Sequence, residues 1–286
     1  MFLQQIVNGL ILGGAYALIS VGMTMIFGIM NIANLAHGTI YMLGGYCVYF
    51  LSTVYGQPFF LAVALSIFIV GLFGIAIERI VFRPIYGGPV LYDLLIASGL
   101  MVFLENGALL LWGSQTKSVR APYTDMVIHF FSVSVTMQRV IVLLASLILI
   151  AALYLFLNFT RFGKAIVATS QNPKGASLVG IDLTKIYMLT FAISSGLAAA
   201  AGALLAPMFY VFPTMGSMPV LKAFVVVVLG GIGNVQGAVV GGFLMGIAES
   251  LGGAYISSDY KNAFSFIIFI GVLLIRPQGL FGKSQA

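Results

Sequence analysis

Apolar runs of membrane-spanning length recur along this chain, separated by short polar joints. The runs FFLAVALSIFIVGLFGIAI at 59–77 and VIVLLASLILIAALYLFL at 140–157 contain no charged residue. A helix needs about 20 predominantly apolar residues to cross a bilayer. By that measure the pattern predicts spans at about 5–28, 35–54, 58–79, 94–112, 139–158, 185–206 and 260–276, with two more sharing 219–252. A single helix over 219–252 would run roughly 50 Å against a hydrocarbon core of about 30 Å. The run GGIGNVQG at 230–237 supplies the break. The expected fold is therefore an all-α polytopic membrane protein of about 8–10 transmembrane helices, nine on this count, in one domain covering 1–286.

Two polar joints carry local signals. In 113–138, the stretch FFSVSV alternates like a short strand. In 159–184, Asn172-Pro173 suits a helix start, with Asn as cap and Pro at the first helical position, and Gly180 suits its end. The expectation is a short helix of about two turns outside the membrane.

Composition strengthens this reading. Hydrophobic residues make up 61% of the 286 and charged residues 7%, where soluble chains carry about 25% charge. The net charge of +6 arises from singly placed Lys and Arg rather than from a basic stripe, which excludes a nucleic-acid footprint. Those residues act as topology markers. Arg79, Arg83, Arg161, Lys164, Lys174, Lys185, Arg276 and Lys283 fall on one side of a nine-span layout, and Lys117, Arg120, Arg139, Lys222 and Lys261 on the other. The richer side, which includes 159–184, is expected to be cytoplasmic, with the N-terminus outside. Cys47 is the single cysteine, so no internal disulfide and no cysteine-based metal site is expected. The tail GLFGKS is not a P-loop, since the first glycine of that motif would fall at Pro277.

Small residues are patterned. Gly237 and Gly241, Gly242 and Gly246, and Gly9 and Gly13 repeat at a spacing of four, which lets helix backbones approach closely in lipid. The expected role is packing within the chain, with an interface to a second subunit as the alternative. Two interrupted apolar segments are candidates for a substrate path: Asn31, Asn34, His37 and Gly38 in one, and Gly230, Gly231, Gly233, Asn234 and Gln236 in the other. Non-helical backbone at membrane depth persists only where protein or a water-filled cavity satisfies it, and paired glycine-interrupted segments point to a transport path. A plain interfacial turn is the competing reading for both. Glu105 and Glu249 are costly within spans and should face the bundle or an interface, and His37 reads either as a ligand or as an interhelical hydrogen-bonder.

Several long stretches carry a family resemblance. They are NGLILGGAYALISVGMTMIFGIMNIANLAHGTIYMLGGY at 8–46, RFGKAIVATSQNPKGASLVGIDLTKIYMLTFAISSGLAAAAGALLAP at 161–207, LKAFVVVVLGGIGNVQGAVVGGFLMGIAESLGG at 221–253 and RPQGLFGK at 276–283. Over essentially its whole length the chain resembles the H-type permease subunits of branched-chain amino acid ABC importers, whose scaffold also serves urea and short amides. The resemblance implies a multi-pass permease of the bacterial inner membrane that binds no cofactor and is not itself an enzyme. Its implied partners are a second homologous permease subunit, two cytoplasmic ATPase subunits that use the ATP, and a periplasmic substrate-binding protein. It also implies that the 159–184 segment docks on the ATPase, through Gly163, Asn172, Pro173, Ala176, Gly180 and Ile181. Many members carry arginine where this chain has Val167 and an acidic residue where it has Asn172, so shape is expected to replace charge in that docking. A stand-alone secondary transporter or channel is the other reading, with Glu105, Glu249 and His37 on its path.

Overall fold

The computed structural model describes residues 1–286 except 122, 124–125, 131–132, 258–259, 277 and 283–286. Two of the sequence markers, Pro277 and Lys283, thus lie outside the described residues. Eleven α-helices are described: α1 (Phe2–Met30), α2 (His37–Val48), α3 (Phe59–Ile77), α4 (Val90–Trp112), α5 (Met137–Phe159), α6 (Arg161–Gln171), α7 (Pro173–Leu178), α8 (Leu183–Leu205), α9 (Ser217–Gly230), α10 (Val235–Tyr255) and α11 (Lys261–Ile275). One antiparallel hairpin, β1 (Val127–Phe130) with β2 (Val133–Thr136), occupies the 113–138 joint.

Contacts between helices fix how the chain crosses. Gln4 at the start of α1 exchanges hydrogen bonds with Ser134 of β2, so the N-terminus lies on the hairpin side. The far end of α1 stops at Asn31, whose left-handed backbone (φ 56°) closes the helix with an N–H bond to the Phe27 carbonyl. Asparagine is among the few non-glycine residues that tolerate that conformation. The α6–α7 segment lies on this second side.

Every segment expected to cross is helical, but the nine are not equivalent. Among the described residues six helices are long and apolar enough to cross alone: α1, α3 with its continuation to Ile85, α4, α5, α8 and α10. The α9 and α11 helices have 14 and 15 residues, and α2 has 12 before its last turns widen into a π-helix over Tyr49–Val54. At 1.5 Å per residue a helix of 14 residues reaches only about 21 Å. The expected all-α polytopic fold stands, and the crossings at α2, α9 and α11 are made with shorter helices than the other six.

The shortfall in α2 and α9 has a specific cause, because both begin at half depth. His37, the first residue of α2, bonds through Nε2 to the Ile19 carbonyl in the middle of α1. A Cβ on Gly22 would meet both His37 and the Ser194 carbonyl midway along α8. The chain therefore returns from the end of α1 through a non-helical strap, 31–36, before α2 starts toward the hairpin side. The strap before α9 is its inverse. Residues 206–216 begin at the hairpin side, where Val211 pairs with Lys117, and descend until Gly216 packs backbone to backbone against Gly38. From there α9 runs to the α7 side, where Gly233 lies against Gly28. The two half-helices thus start next to each other in the interior and point in opposite directions.

The interior is built on α1, α8 and α10. Of the most apolar window of α1, 83% is buried, and of α8, 78%. Close approach is achieved with the four-residue glycine spacing. Gly246 lies against Gly9 and Gly13, Gly242 against Ala17, Gly241 against Val226 and Leu229, and Gly237 against Gly230. Dispersion across these backbone contacts holds helices together where lipid removes most of the hydrophobic drive.

Candidate functional site

Polar side chains gather at three places that bear on function. The first is the junction of the two half-helices. Asn34 in the strap before α2 is fully buried, and neither atom of its amide has a hydrogen-bond partner among the described residues. His37 is also fully buried and leaves Nδ1 unpartnered, as do Thr24 and Ser194 their hydroxyls. Buried polar atoms are paired in all but a few cases. Unpartnered polar atoms at the start of α2 offer hydrogen bonds to a polar guest, and the dipoles of the two helices that begin here favour an anionic group. Gly38 serves this junction by admitting the Gly216 carbonyl where any side chain would collide.

The remaining residues expected on the path are placed elsewhere. Asn31 is exposed at the end of α1. Gly230, Gly231, Gly233, Asn234 and Gln236 form the turn between α9 and α10 on the α7 side and do not reach Asn34 or His37. Local chemistry explains them. Gly231 and Gly233 adopt φ of 98° and 78° to reverse the chain, and Asn234 caps α10 by accepting the Gly237 N–H at 3.0 Å. The C-terminal segment closes over this turn, with Leu280 N–H bonded to the Leu229 carbonyl and the Asn234 amide bonded to the Phe281 carbonyl. The segment that meets the first interruption is the strap 206–216, where Gly216 packs against Gly38.

The second place is an ion pair inside the bundle. Lys222 of α9 meets Glu249 of α10 at 2.6 Å, with both side chains at most 9% exposed. Tyr16 of α1 donates its hydroxyl to Glu249 at 3.0 Å and accepts from Lys222 at 2.9 Å, and Ser265 of α11 donates to the same carboxylate at 3.5 Å. Four helices are tied at one point. Lys222 is therefore no topology marker, and its assignment to a membrane surface is corrected. Lysine close to a run of valines resembles a span end, while its partner lies 27 residues away. Removing it from the count leaves four markers toward the hairpin side against seven described ones, Arg79, Arg83, Arg161, Lys164, Lys174, Lys185 and Arg276, toward the α7 side. Glu105 of α4 is separate from this pair, since it accepts a hydrogen bond from Ser217, the first residue of α9, at 3.2 Å.

The third place is the α6–α7 segment. Where a polar joint was expected at 159–184, the chain first forms α6, capped by the Thr160 hydroxyl accepting from Gly163 N–H at 2.9 Å. Gly163 is required because Leu157 and the Phe156 carbonyl of α5 press against it at this corner. Asn172 then caps α7, its side chain accepting from Gly175 N–H at 2.9 Å, with Pro173 at the first helical position. Ala176 is buried beneath α7 and accepts the Ile181 N–H, while Gly180 (φ 85°) turns the chain toward α8. Asp182 caps α8, and hydrogen bonding from the Lys185 side chain and N–H holds its carboxyl below the usual range. Leu178 and Val179 stand 88% and 78% exposed at the tip of this polar segment. Sequence reasoning passed over them because apolar residues are commonplace in this chain; only their position makes them unusual.

Comparison with known proteins places this geometry. A family model described as the permease component of branched-chain amino acid transport systems matches residues 5–273. The chain is 37% identical over 297 aligned residues to the high-affinity branched-chain amino acid transport system permease protein LivH of Salmonella typhimurium, covering 99% of this chain and 96% of that one. LivH of Escherichia coli K12 gives the same identity and coverage. BraD of Pseudomonas aeruginosa is 36% identical, with 99% and 97% covered.

Proposed function

The chain belongs to the branched-chain amino acid transport system permease family, and on that premise we propose how its crossings carry substrate. It is the multi-pass membrane permease component of a bacterial inner-membrane ABC importer for branched-chain amino acids, not the ATPase. The α7 side faces the cytoplasm and the hairpin side the periplasm, in keeping with the basic markers. In the assembled importer a second homologous permease subunit completes the pore, two ATPase subunits dock below it, and a periplasmic binding protein delivers substrate from the hairpin side.

The observation that carries the docking assignment is the exposed apolar tip Leu178–Val179 on the capped helix α7. Apolar side chains held out in water by a rigid turn seek a pocket, and α6, α7 and the start of α8 make that turn rigid through three caps. Closure of the ATPases would move α7, and α5 and α8 would transmit the movement as rigid rods. The substrate path runs past the half-helix junction, where Asn34, His37 and Gly38 meet the start of α9. There the positive ends of α2 and α9 favour the carboxylate of a zwitterion.

The test is ATP-driven leucine uptake by the full importer in proteoliposomes. Leu178→Asp and Gly180→Glu are expected to abolish coupling between hydrolysis and uptake while the permease still inserts and assembles; uptake at the wild-type rate by both refutes the docking assignment. Asn34→Leu is expected to lower uptake with little loss of assembly, and unchanged uptake kinetics remove Asn34 from the path.

A further inference from the structure

A cavity of about 320 Å³ opens on the periplasmic half between α4 and the strap that precedes α9. Its walls have two characters. Leu109 of α4 and Phe212 of the strap are apolar, while Glu105, Ser114, Thr116 and Thr214 bring a carboxylate and three hydroxyls. The volume lies at the small end of the range for ligand cavities, roughly 300–1,000 Å³, which suits a molecule of amino-acid size. Glu105 sits seven residues before the end of α4, roughly 10 Å along the helix from its hairpin-side end, and is half-buried. Its recorded partner is the Ser217 hydroxyl at 3.2 Å, and among the described residues no cation pairs with it.

The neighbouring residue excludes a lipid-facing surface here. Asn106 is exposed on the same helix and also lines the cavity, its amide donating to the Val102 carbonyl of its own turn. A carboxylate followed by an exposed amide is not tolerated against hydrocarbon, and ionisable groups at this depth face water-filled paths. A lone carboxylate in a half-apolar cavity selects for a positive charge with an apolar body attached. The Ser217 hydroxyl links that carboxylate to the first turn of α9, the element that begins beside Gly38 at the half-helix junction.

We propose that this cavity is the antechamber of the permease, where Glu105 receives the α-ammonium group of the incoming amino acid. Leu109 and Phe212 contact the substrate's aliphatic side chain, and its carboxylate is left pointing toward the start of α9. The assignment rests on the importer reading above and adds to it a binding group for the amine.

Accessibility of a cysteine in the cavity tests this. In the reconstituted importer, with Cys47→Ser removing the native thiol, Thr214→Cys is labelled from the periplasmic side without ATP or binding protein. The probes are membrane-impermeant methanethiosulfonates, one bearing trimethylammonium and one bearing sulfonate. Relative to a free thiol, the cationic reagent is expected to be favoured about tenfold, and Glu105→Gln is expected to remove that preference. Leucine and isoamylamine should slow labelling, whereas isocaproate, which lacks the amine, should not. Leu109→Cys provides the same readout if Thr214→Cys does not assemble. Equal reagent preference with and without the Glu105→Gln substitution, or protection by isocaproate equal to that by leucine, overturns the assignment. ATP-driven leucine uptake by the Cys47→Ser parent is measured alongside. Its absence counts against the importer reading, while the charge preference reports on the cavity alone.

Discussion

The α1 and α4 helices read almost alike as sequence and are placed oppositely in the fold. Both are long, predominantly apolar helices of spanning length, yet 83% of the most apolar window of α1 is buried and only 17% of that of α4. Hydropathy reports only that a segment tolerates lipid. Position within the bundle follows from side-chain size and from the polar groups a helix must satisfy. The α1 helix offers Gly9, Gly13, Ala17 and Gly22 to the backbones of α8 and α10, and Tyr16 to the Lys222–Glu249 pair. The α4 helix presents Phe103, Leu110 and Leu111 outward, and a Cβ added at Gly99 or Gly107 would meet nothing within 4 Å. One helix is a hub and the other a panel.

The sharpest way to break that contrast is to leave a charge stranded at the hub. Lys222→Ala removes the cation 2.6 Å from Glu249 and leaves a carboxylate that is 5% exposed. Loss of one partner from a buried pair costs about 3–5 kcal/mol. The detergent-purified complex is expected to lose thermal stability accordingly, measured as a fall in the unfolding midpoint. Replacing both partners, Lys222→Met with Glu249→Leu, is expected to restore most of the loss, because the desolvation cost disappears with the charges. If the single variant unfolds at the wild-type temperature, the pair does not hold α9 to α1 and α10.

A smaller effect is expected from size alone. Gly246→Ala places a methyl group against the backbone of Gly9 and Gly13, where neither neighbour has a flexible side chain to move aside. Overpacking of this kind costs about 1–3 kcal/mol. The same assay reads it, and a neutral result would show that α1 and α10 can separate without loss.

Much of this was legible before any coordinates. The spans follow from apolar run length, close helix packing from glycines four apart, and α7 from Asn172, Pro173 and Gly180, because each signal is local; which helices the glycines join is not. What was not legible depends on pairing across the fold. Lys222 could be recognised as a bundle residue only beside Glu249, 27 positions away. The strap 206–216 could be recognised as descending to half depth only by the contact of Gly216 with Gly38. The glycine turn at 230–234 reads as the second interruption because it resembles a break in one long span, and it is one, but at the α7 end of the bundle, where Gly233 lies against Gly28. Length could have indicated this. Fourteen residues of α9 cannot cross alone, so the missing depth had to come from the chain before it.

The cap on α7 sharpens the contrast in a different way, since it stabilises a helix with little buried surface. Asn172→Ala removes the acceptor for Gly175 N–H, and loss of such a cap costs about 0.5–2 kcal/mol. Because α7 is six residues long and buries only Ala176, the cost falls on the local turn and not on the bundle. The unfolding midpoint of the complex should stay near wild type while proteolysis between 172 and 182 accelerates several-fold.

The smallest expected effect completes the comparison at α4. Gly107→Ala adds the same methyl group as Gly246→Ala, but into open space, and alanine is favoured over glycine in a helix by about 1 kcal/mol. In the isolated permease subunit the substitution is therefore expected to be neutral or stabilising by up to about 1 kcal/mol in the thermal assay. The assembled importer supplies the discriminating measurement. Should the second permease subunit pack on the exposed face of α4, the added methyl group would meet it, and Gly107→Ala would lower the stability of the complex while leaving the subunit unharmed. Should α4 face lipid along Gly99, Phe103 and Gly107, both samples would shift together. A panel that matters only in the assembly and a hub that matters in the subunit are thus separated by one methyl group placed at two depths of the same bundle.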